Sequence, residues 1–265
     1  MNNYSEKFEK MRKAGSLASS TLDMITDYIK PGLSTNKIDE LCYEFIKDNG
    51  GHSAPLYYRG FNKSICTSLN HVVCHGIPSE RVLEDGDILN IDVTAILHNH
   101  YGDTSRMFTV GKPSVKSMNL INVTYESLMK SIKILKPGKK LGDIGHEIQT
   151  HVEKSGFSVV RDFCGHGVGL KFHENPSILH YYDSEYDNIK FIDGMIFTIE
   201  PMINAGKYQS KILSDGWTAV TKDKTLSAQY EHTIYINGDN VEILTESPNK
   251  AFYNWYQDTL EKFLK

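Results

Sequence analysis

Asp85-Gly86-Asp87-Ile88-Leu89-Asn90-Ile91-Asp92 and Asp193-Gly194-Met195-Ile196-Phe197-Thr198-Ile199-Glu200 follow one pattern. An Asp-Gly turn opens a mostly apolar strand, and the strand ends on an acid. Strands this apolar are not solvated on both faces, so the terminal carboxylate needs a partner or a metal.

The two stretches sit in matching neighbourhoods. Lys30-Pro31-Gly32, Ile38 and Gly50 correspond, at constant spacing, to Lys136-Pro137-Gly138, Ile144 and Gly156. His75-Gly76-Ile77-Pro78 resembles His173-Glu174-Asn175-Pro176, and Asp103-Thr104 is echoed by Glu231-His232. Four matches in the same order imply two similar halves, about 4–113 and 114–247, folded against each other as one domain with a tail over 248–265.

Between these marks the chain reads as mixed α and β without strand–helix alternation. Helices are expected over about 4–30, 34–49, 114–135, 141–154 and 249–265; Lys-Pro-Gly stops the first and third, and Ser34 caps the second. Leu17, Ile25 and Ile29 mark the first helix, and Phe252, Trp255 and Tyr256 the last. Extended segments are expected near 62–75, 85–92, 101–110, 157–170, 194–203, 208–220 and 229–236.

Composition bounds the function. The 265 residues are 40% hydrophobic and carry a net charge of −4, which excludes a strongly basic nucleic-acid binder. The polar N-terminus resembles no secretory signal, and no apolar run approaches the length of a membrane span. Cys42, Cys66, Cys74 and Cys164 form no closely spaced pair, so they read as free thiols in a reducing, cytoplasmic compartment. Cys42 and Cys164 read as small buried hydrophobes, whereas Cys66 and Cys74 stand beside polar motifs and are open to lining a pocket.

Four acids then need an explanation: Asp92, Asp103, Glu200 and Glu231. A hairpin turning at Leu97 and His98 would set Asp92 directly opposite Asp103, a repulsive pairing unless something cationic lies between. Arg106 is the nearest candidate in sequence and cannot serve all four. Two divalent ions would bring the charge near balance, so an oxygen-rich dinuclear site is the economical reading. His166 lies in Cys164-Gly165-His166-Gly167-Val168-Gly169, whose glycines permit close backbone approach, and is a candidate nitrogen ligand. His52, His71, His98, His100, His146, His151 and His180 read as surface or loop histidines, and Glu147 and Glu153 as a solvated helix face.

These residues resemble a known family. Asn90-Ile91-Asp92-Val93, Gly102-Asp103-Thr104, Gly165-His166-Gly167-Val168-Gly169, Ile199-Glu200-Pro201-Met202 and Gln229-Tyr230-Glu231-His232-Thr233, in that order, are similar to the motifs of type I, bacterial-type methionine aminopeptidases of peptidase family M24. The resemblance covers about residues 4–247. It implies an α/β (α+β) pita-bread fold with a pseudo-two-fold repeat: a curved, mostly antiparallel sheet covered by helices.

It also implies hydrolytic removal of the initiator methionine, with a small second residue preferred. Asp92, Asp103, His166, Glu200 and Glu231 would hold two divalent ions (Co, Mn, Fe or Zn), bridged by Asp103 and Glu231, with Asp92 on one ion and His166 and Glu200 on the other. A water between the ions would attack, Glu200 would shuttle its proton, His173 would bond the oxyanion and His75 would contact the scissile amide. Tyr58, Phe61, Cys66, Phe172 and Trp217 would hold the methionine side chain, thioether against aromatic rings. A monovalent cation, Na or K, would lie near Asn70, Val72 and Ser227. The partners implied are the N-termini of nascent chains, with ribosome association open; the chain would act as a monomer, with no nucleic-acid motif and no membrane.

The sequence departs from the family pattern at His71, usually acidic, at Pro55, usually cysteine, and at Phe61, usually tyrosine. Two rivals differ in class. Enzymes acting on Xaa-Pro bonds carry an added N-terminal domain for which this chain has no room. Metal-free binding proteins on the same fold lose metal ligands, whereas all five ligand types stand here.

Overall fold

The computed structural model describes residues 2–248. The helix expected over 249–265 lies outside the described residues. Two helix pairs frame the chain: α1 (Asn2–Thr26) with α2 (Thr35–Asp48), and α3 (Val115–Lys133) with α4 (Gly142–Lys154). Ser34 and Ser114 cap α2 and α3, each hydroxyl accepting from the amide three residues on, at 3.2 and 3.1 Å. Both Lys-Pro-Gly turns end in left-handed glycines, Gly32 at φ +92° and Gly138 at φ +84°. Helix α1 stops at Thr26 rather than near residue 30. Its end tightens into turns, Tyr28 N–H to Ile25 O at 3.0 Å and Ile29 N–H to Thr26 O at 3.3 Å, which keep Ile29 packed on the core.

The strands of the first half are β1 (His52–Ser53), β2 (Cys66–Leu69), β3 (Val72–Cys74), β4 (Ile88–Leu97) and β5 (His100–Thr109). Those of the second are β6 (Ser158–Val159), β7 (Gly165–Gly167), β8 (Glu174–Ile178), β9 (Ile196–Ile199), β10 (Met202–Asn204), β11 (Ser210–Ile212), β12 (Ala219–Thr221), β13 (Ser227–Gln229), β14 (His232–Asn237) and β15 (Asn240–Ile243). Every pairing among the described strands is antiparallel. Two sheets matter for the site: β1-β4-β2 with β5 alongside β4, and β15-β14-β9-β7-β8.

Strand β4 shows how the fold sorts its residues. Successive side chains point to opposite faces. Leu89, Ile91, Val93 and Ala95 enter a core with Leu17, Leu22, Ile25, Ile38 and Ile46 of α1 and α2. Burying each large aliphatic side chain contributes about 1.5–3 kcal/mol. The alternate residues Asn90, Asp92 and Thr94 therefore face the other way, toward the second half. A second core gathers α3 and α4 against Phe197, Ile199, Ile203 and Ile234, with Ile88 and Met107 joining from the first half.

The β4–β5 register corrects the expected pairing. The hairpin turns at His98 and Asn99, both left-handed at φ +51° and +60°, so Asp92 pairs with Ser105 and Asp103 with Thr94. The two-residue turn with both centres at positive φ matches the strand twist. It places the two acids diagonally on one face instead of directly opposite.

Gly102, just before Asp103, is where α1 lies on β5: a Cβ there would meet Ala14 C at 2.3 Å and Gly15 N at 2.4 Å. Only a residue without a side chain lets the helix backbone come so close. Among the described residues no helix is long and apolar enough to cross a membrane.

Candidate active site

The inward faces of the two sheets meet at a cleft of about 1060 Å³ lined by Asp92, Asp103, His166, Glu200 and Glu231. Asp92 and Asp103 come from the β4–β5 hairpin, His166 from β7, Glu200 from the residue after β9, and Glu231 from the link between β13 and β14. Asp103 and Glu231 are buried, at 3% and 2% exposure. Donor atoms of Asp103, His166 and Glu231 lie within 4.8 Å of one another, a grouping able to hold a metal ion. His166 Nε2 is 3.6 Å from Asp103 Oδ2 and 3.7 Å from Glu200 Oε1.

The surroundings orient these groups. His166 Nδ1 is 3.0 Å from Gly167 O; a proton donated there leaves the Nε2 lone pair facing the acids. Thr94 Oγ1 donates to Asp103 Oδ1 at 2.6 Å, and Thr198 Oγ1 donates to Glu200 Oε1 at 2.9 Å. Gln229 Nε2 donates to Glu200 Oε2 at 3.3 Å, and the Glu200 amide donates to His180 Nε2 at 3.1 Å.

Electrostatically the cluster is held against its own repulsion. Burial pushes Asp92, Glu200 and Glu231 well above the carboxylate range, with the charge of Asp103 adding to each. Burial raises Asp103 to about 7, opposed by the hydrogen bond from Thr94. Arg106 does not relieve them: its Nη1 pairs with Asp23 of α1 at 2.8 Å, on the helix side of β5. Carboxylates gathered without a cation favour protons or divalent metal.

The remaining expected site residues share the cleft. His75, His173, Tyr58, Phe61, Cys66, Phe172 and Trp217 all line it. Trp217 meets Phe61 edge-on at 5.2 Å, and Phe172 stacks on His173 at 4.3 Å. Tyr58 Oη is 3.1 Å from His173 Nδ1. Burial brings the His75 and His173 imidazoles down to about 4, so both are neutral near pH 7. His75 sits at φ +56°, held where Gly76 presses on the Thr67 carbonyl. Such strain costs on the order of 1–3 kcal/mol and is found at functional positions.

Asn70 and Ser227 lie outside this cleft but together: Ser227 N–H donates to Asn70 O at 2.8 Å, while Val72 pairs with Val220.

The profile of metallopeptidase family M24 matches residues 9–238. The chain belongs to that family. This M24 chain is 55% identical to the methionine aminopeptidase of Rickettsia prowazekii (strain Madrid E) over 251 residues, 94% of this chain and 96% of that protein. It is 52% identical to the methionine aminopeptidase of Escherichia coli (strain K12), covering 91% of each. Its fold superposes on the crystal structure of methionine aminopeptidase from Rickettsia prowazekii with a TM-score of 0.88, at 54% identity, over 91% of this chain and 97% of that one. The pita-bread fold and the metal-dependent peptidase class follow.

Several positions of the M24 chain differ from the sequence reading. His180, read as a surface or loop histidine, lies in the loop after β8 but is only 1% exposed, behind Glu200. Its imidazole is needed there because the Glu200 amide falls past the end of β9 and finds no strand partner. His100, also read as a surface or loop histidine, is instead buried at the start of β5. Cys164, expected in the core, is half-buried and lines the cleft, because it leads into β7, whose next residue but one is His166. Of the two undecided thiols, Cys66 lines the cleft and Cys74 is buried behind its wall, against Met202 and Phe163. Pro55 lines the cleft with Phe61, while His71 is exposed outside it. Thr94, Asp162, Phe163 and Met202 line the cleft without having been assigned to it. Thr94 carries a usable signal: it stands two residues beyond Asp92 and so shares its face of the strand.

Proposed function

We propose that this M24 metallopeptidase is a methionyl aminopeptidase that removes the initiator methionine from nascent proteins with a small second residue. The observation that carries this reading is a carboxylate–imidazole cluster beside an aromatic wall in one cleft. The names of its relatives support it.

The donor set fits divalent metal: oxygen-rich, with one imidazole lone pair turned inward and carboxyl groups whose burial nothing cationic in the cluster offsets. Asp92, Asp103, His166, Glu200 and Glu231 would hold two ions. Co, Mn, Fe and Zn all suit these donors. Bound there, such ions supply Lewis acidity and an activated water.

The chain's own residues do the rest. Glu200 carries the proton from the attacking water to the leaving amine. With Tyr58 donating to its Nδ1, neutral His173 keeps an Nε2 proton for the oxyanion. His75 meets the scissile amide as a neutral group. Tyr58, Phe61, Cys66, Phe172 and Trp217 enclose the methionine side chain, and Pro55 and Phe61 make that wall more apolar than the family pattern. A monovalent cation near Asn70, Val72 and Ser227, action as a monomer in the cytoplasm, and association with the ribosome belong to the same reading. The four free thiols suit a reducing compartment.

We also read residues 4–113 and 114–247 as related halves. Left-handed glycines recur at Gly32 and Gly138, Gly50 and Gly156, and Gly86 and Gly194.

The test is release of free methionine from Met-Ala-Ser, run beside Ala-Pro-Ala, after chelation and again after adding Mn. Methionine release lost with chelator and restored by metal is expected. Cleavage of the proline peptide alone would move the chain to the Xaa-Pro enzymes, and no cleavage with metal bound would undo the catalytic roles.

A further inference from the structure

Thr198 is fully buried in β9, in the apolar run Ile196-Phe197-Thr198-Ile199. Its hydroxyl touches two of the candidate ligands at once. Oγ1 accepts the His166 backbone N–H at 3.0 Å and donates its own proton to Glu200 Oε1 at 2.9 Å. A hydroxyl has one proton to give and lone pairs to receive, so both roles are filled without competition. The His166 amide lies beside a register break in the β7–β8 pairing, between His166 and Gly167. Next to it, Gly165 lets β7 lie close on β9: a Cβ there would come within 2.3 Å of Thr198 O. Threonine's β-branch restricts χ1, which holds the oxygen between the two strands.

We propose that Thr198 is a positioning residue that fixes His166 and Glu200 relative to each other, so that these two ligands form one metal position as a unit. The inference rests on the ligand reading above. Its consequence is asymmetric: the ion held by His166 and Glu200 depends on the Thr198 hydroxyl, and the ion held by Asp92 does not. Gln229 and His180 also brace Glu200, but each touches that residue alone among the ligands.

Thr198→Val keeps the shape and removes the hydroxyl, leaving the His166 amide unsatisfied. Thr198→Ser keeps the hydroxyl. Chelator-stripped proteins are titrated calorimetrically with Mn alone, and melts of the stripped proteins establish that each is folded. Thr198→Val is expected to weaken one of two binding steps by about 10- to 100-fold, the usual cost of losing an outer-shell partner, with the other step unchanged. Thr198→Ser is expected to recover most of the loss. On Met-Ala-Ser, kcat should fall more than KM rises. Two wild-type binding steps in Thr198→Val, equal weakening of both steps, or a serine variant as weak as valine would each overturn the proposal. If the valine variant does not fold, Thr198→Ala is titrated in its place. Metal titration is independent of peptide cleavage, so failure of the peptidase reading and failure of this inference remain distinguishable.

Discussion

Thr94 and Asp103 face each other across the β4–β5 hairpin, and their 2.6 Å hydrogen bond stands where two acids were expected to meet. At this scale the sequence is legible for groups whose chemistry is conspicuous. Acids closing apolar strands, and a histidine among glycines, announce a cost that something must offset. It is much less legible for the neutral groups that hold them. Thr198 reads as an ordinary β-branched strand residue, and His180 follows an apolar stretch with no periodic cue. Their importance comes from atoms brought close by the tertiary fold. For His173, whose ring is fixed by Tyr58 and Phe172, replacement by alanine should lower kcat by about 10²–10³-fold with KM little changed, as loss of an oxyanion donor does. Steady-state kinetics on Met-Ala-Ser would check this; a pure KM effect would instead mark His173 as a substrate-binding group.

At the scale of elements, caps and stops placed α2, α3 and α4 to within a residue or two, because Ser34 and the Lys-Pro-Gly turns act locally. The hairpin register was harder. Leu97-His98 and His98-Asn99 are both plausible turn centres in sequence, and the choice depends on which pair accepts positive φ. Both turns keep Asp92 and Asp103 on one face, since moving the centre by one residue shifts the pairing by two. Gly102 is the element-scale test. Gly102→Ala sets a methyl against the α1 backbone, which no rotamer change can relieve. A loss of about 1–3 kcal/mol in chemical denaturation is expected, as for overpacking elsewhere. Because Asp103 is the next residue, weaker Mn binding should accompany it. Unchanged stability would mean that α1 can shift freely on β5.

Over the whole molecule, the burial of Asp92, Asp103, Glu200 and Glu231 makes stability depend on pH and metal together. Folding raises Asp103 from an ordinary 3.8 to about 7 and raises the other three. The folded state thus binds these protons more tightly than the unfolded chain. These four carboxyl groups carry no penalty below about pH 4, and in the metal-free protein they cost stability as pH rises from there through 7. Divalent ions take the place of the protons. Chelator should therefore lower Tm little at pH 5 and substantially at pH 8. An equal drop at both values would show that the carboxyl groups are not what the metal stabilises.

The two sheets that meet at the cleft also set an order of events. Asp92 and Asp103 belong to the hairpin of the first half, and His166, Glu200 and Glu231 to strands and links of the second. Neither set can chelate a pair of ions by itself, and their contact closes a chain segment of some sixty residues or more, a slow, non-local step compared with forming a hairpin. During synthesis the first half emerges with two acids and no nitrogen ligand. On the proposed ligand set, metal capture would come at the end of folding, and an occupied centre would report that both sets of strands have docked.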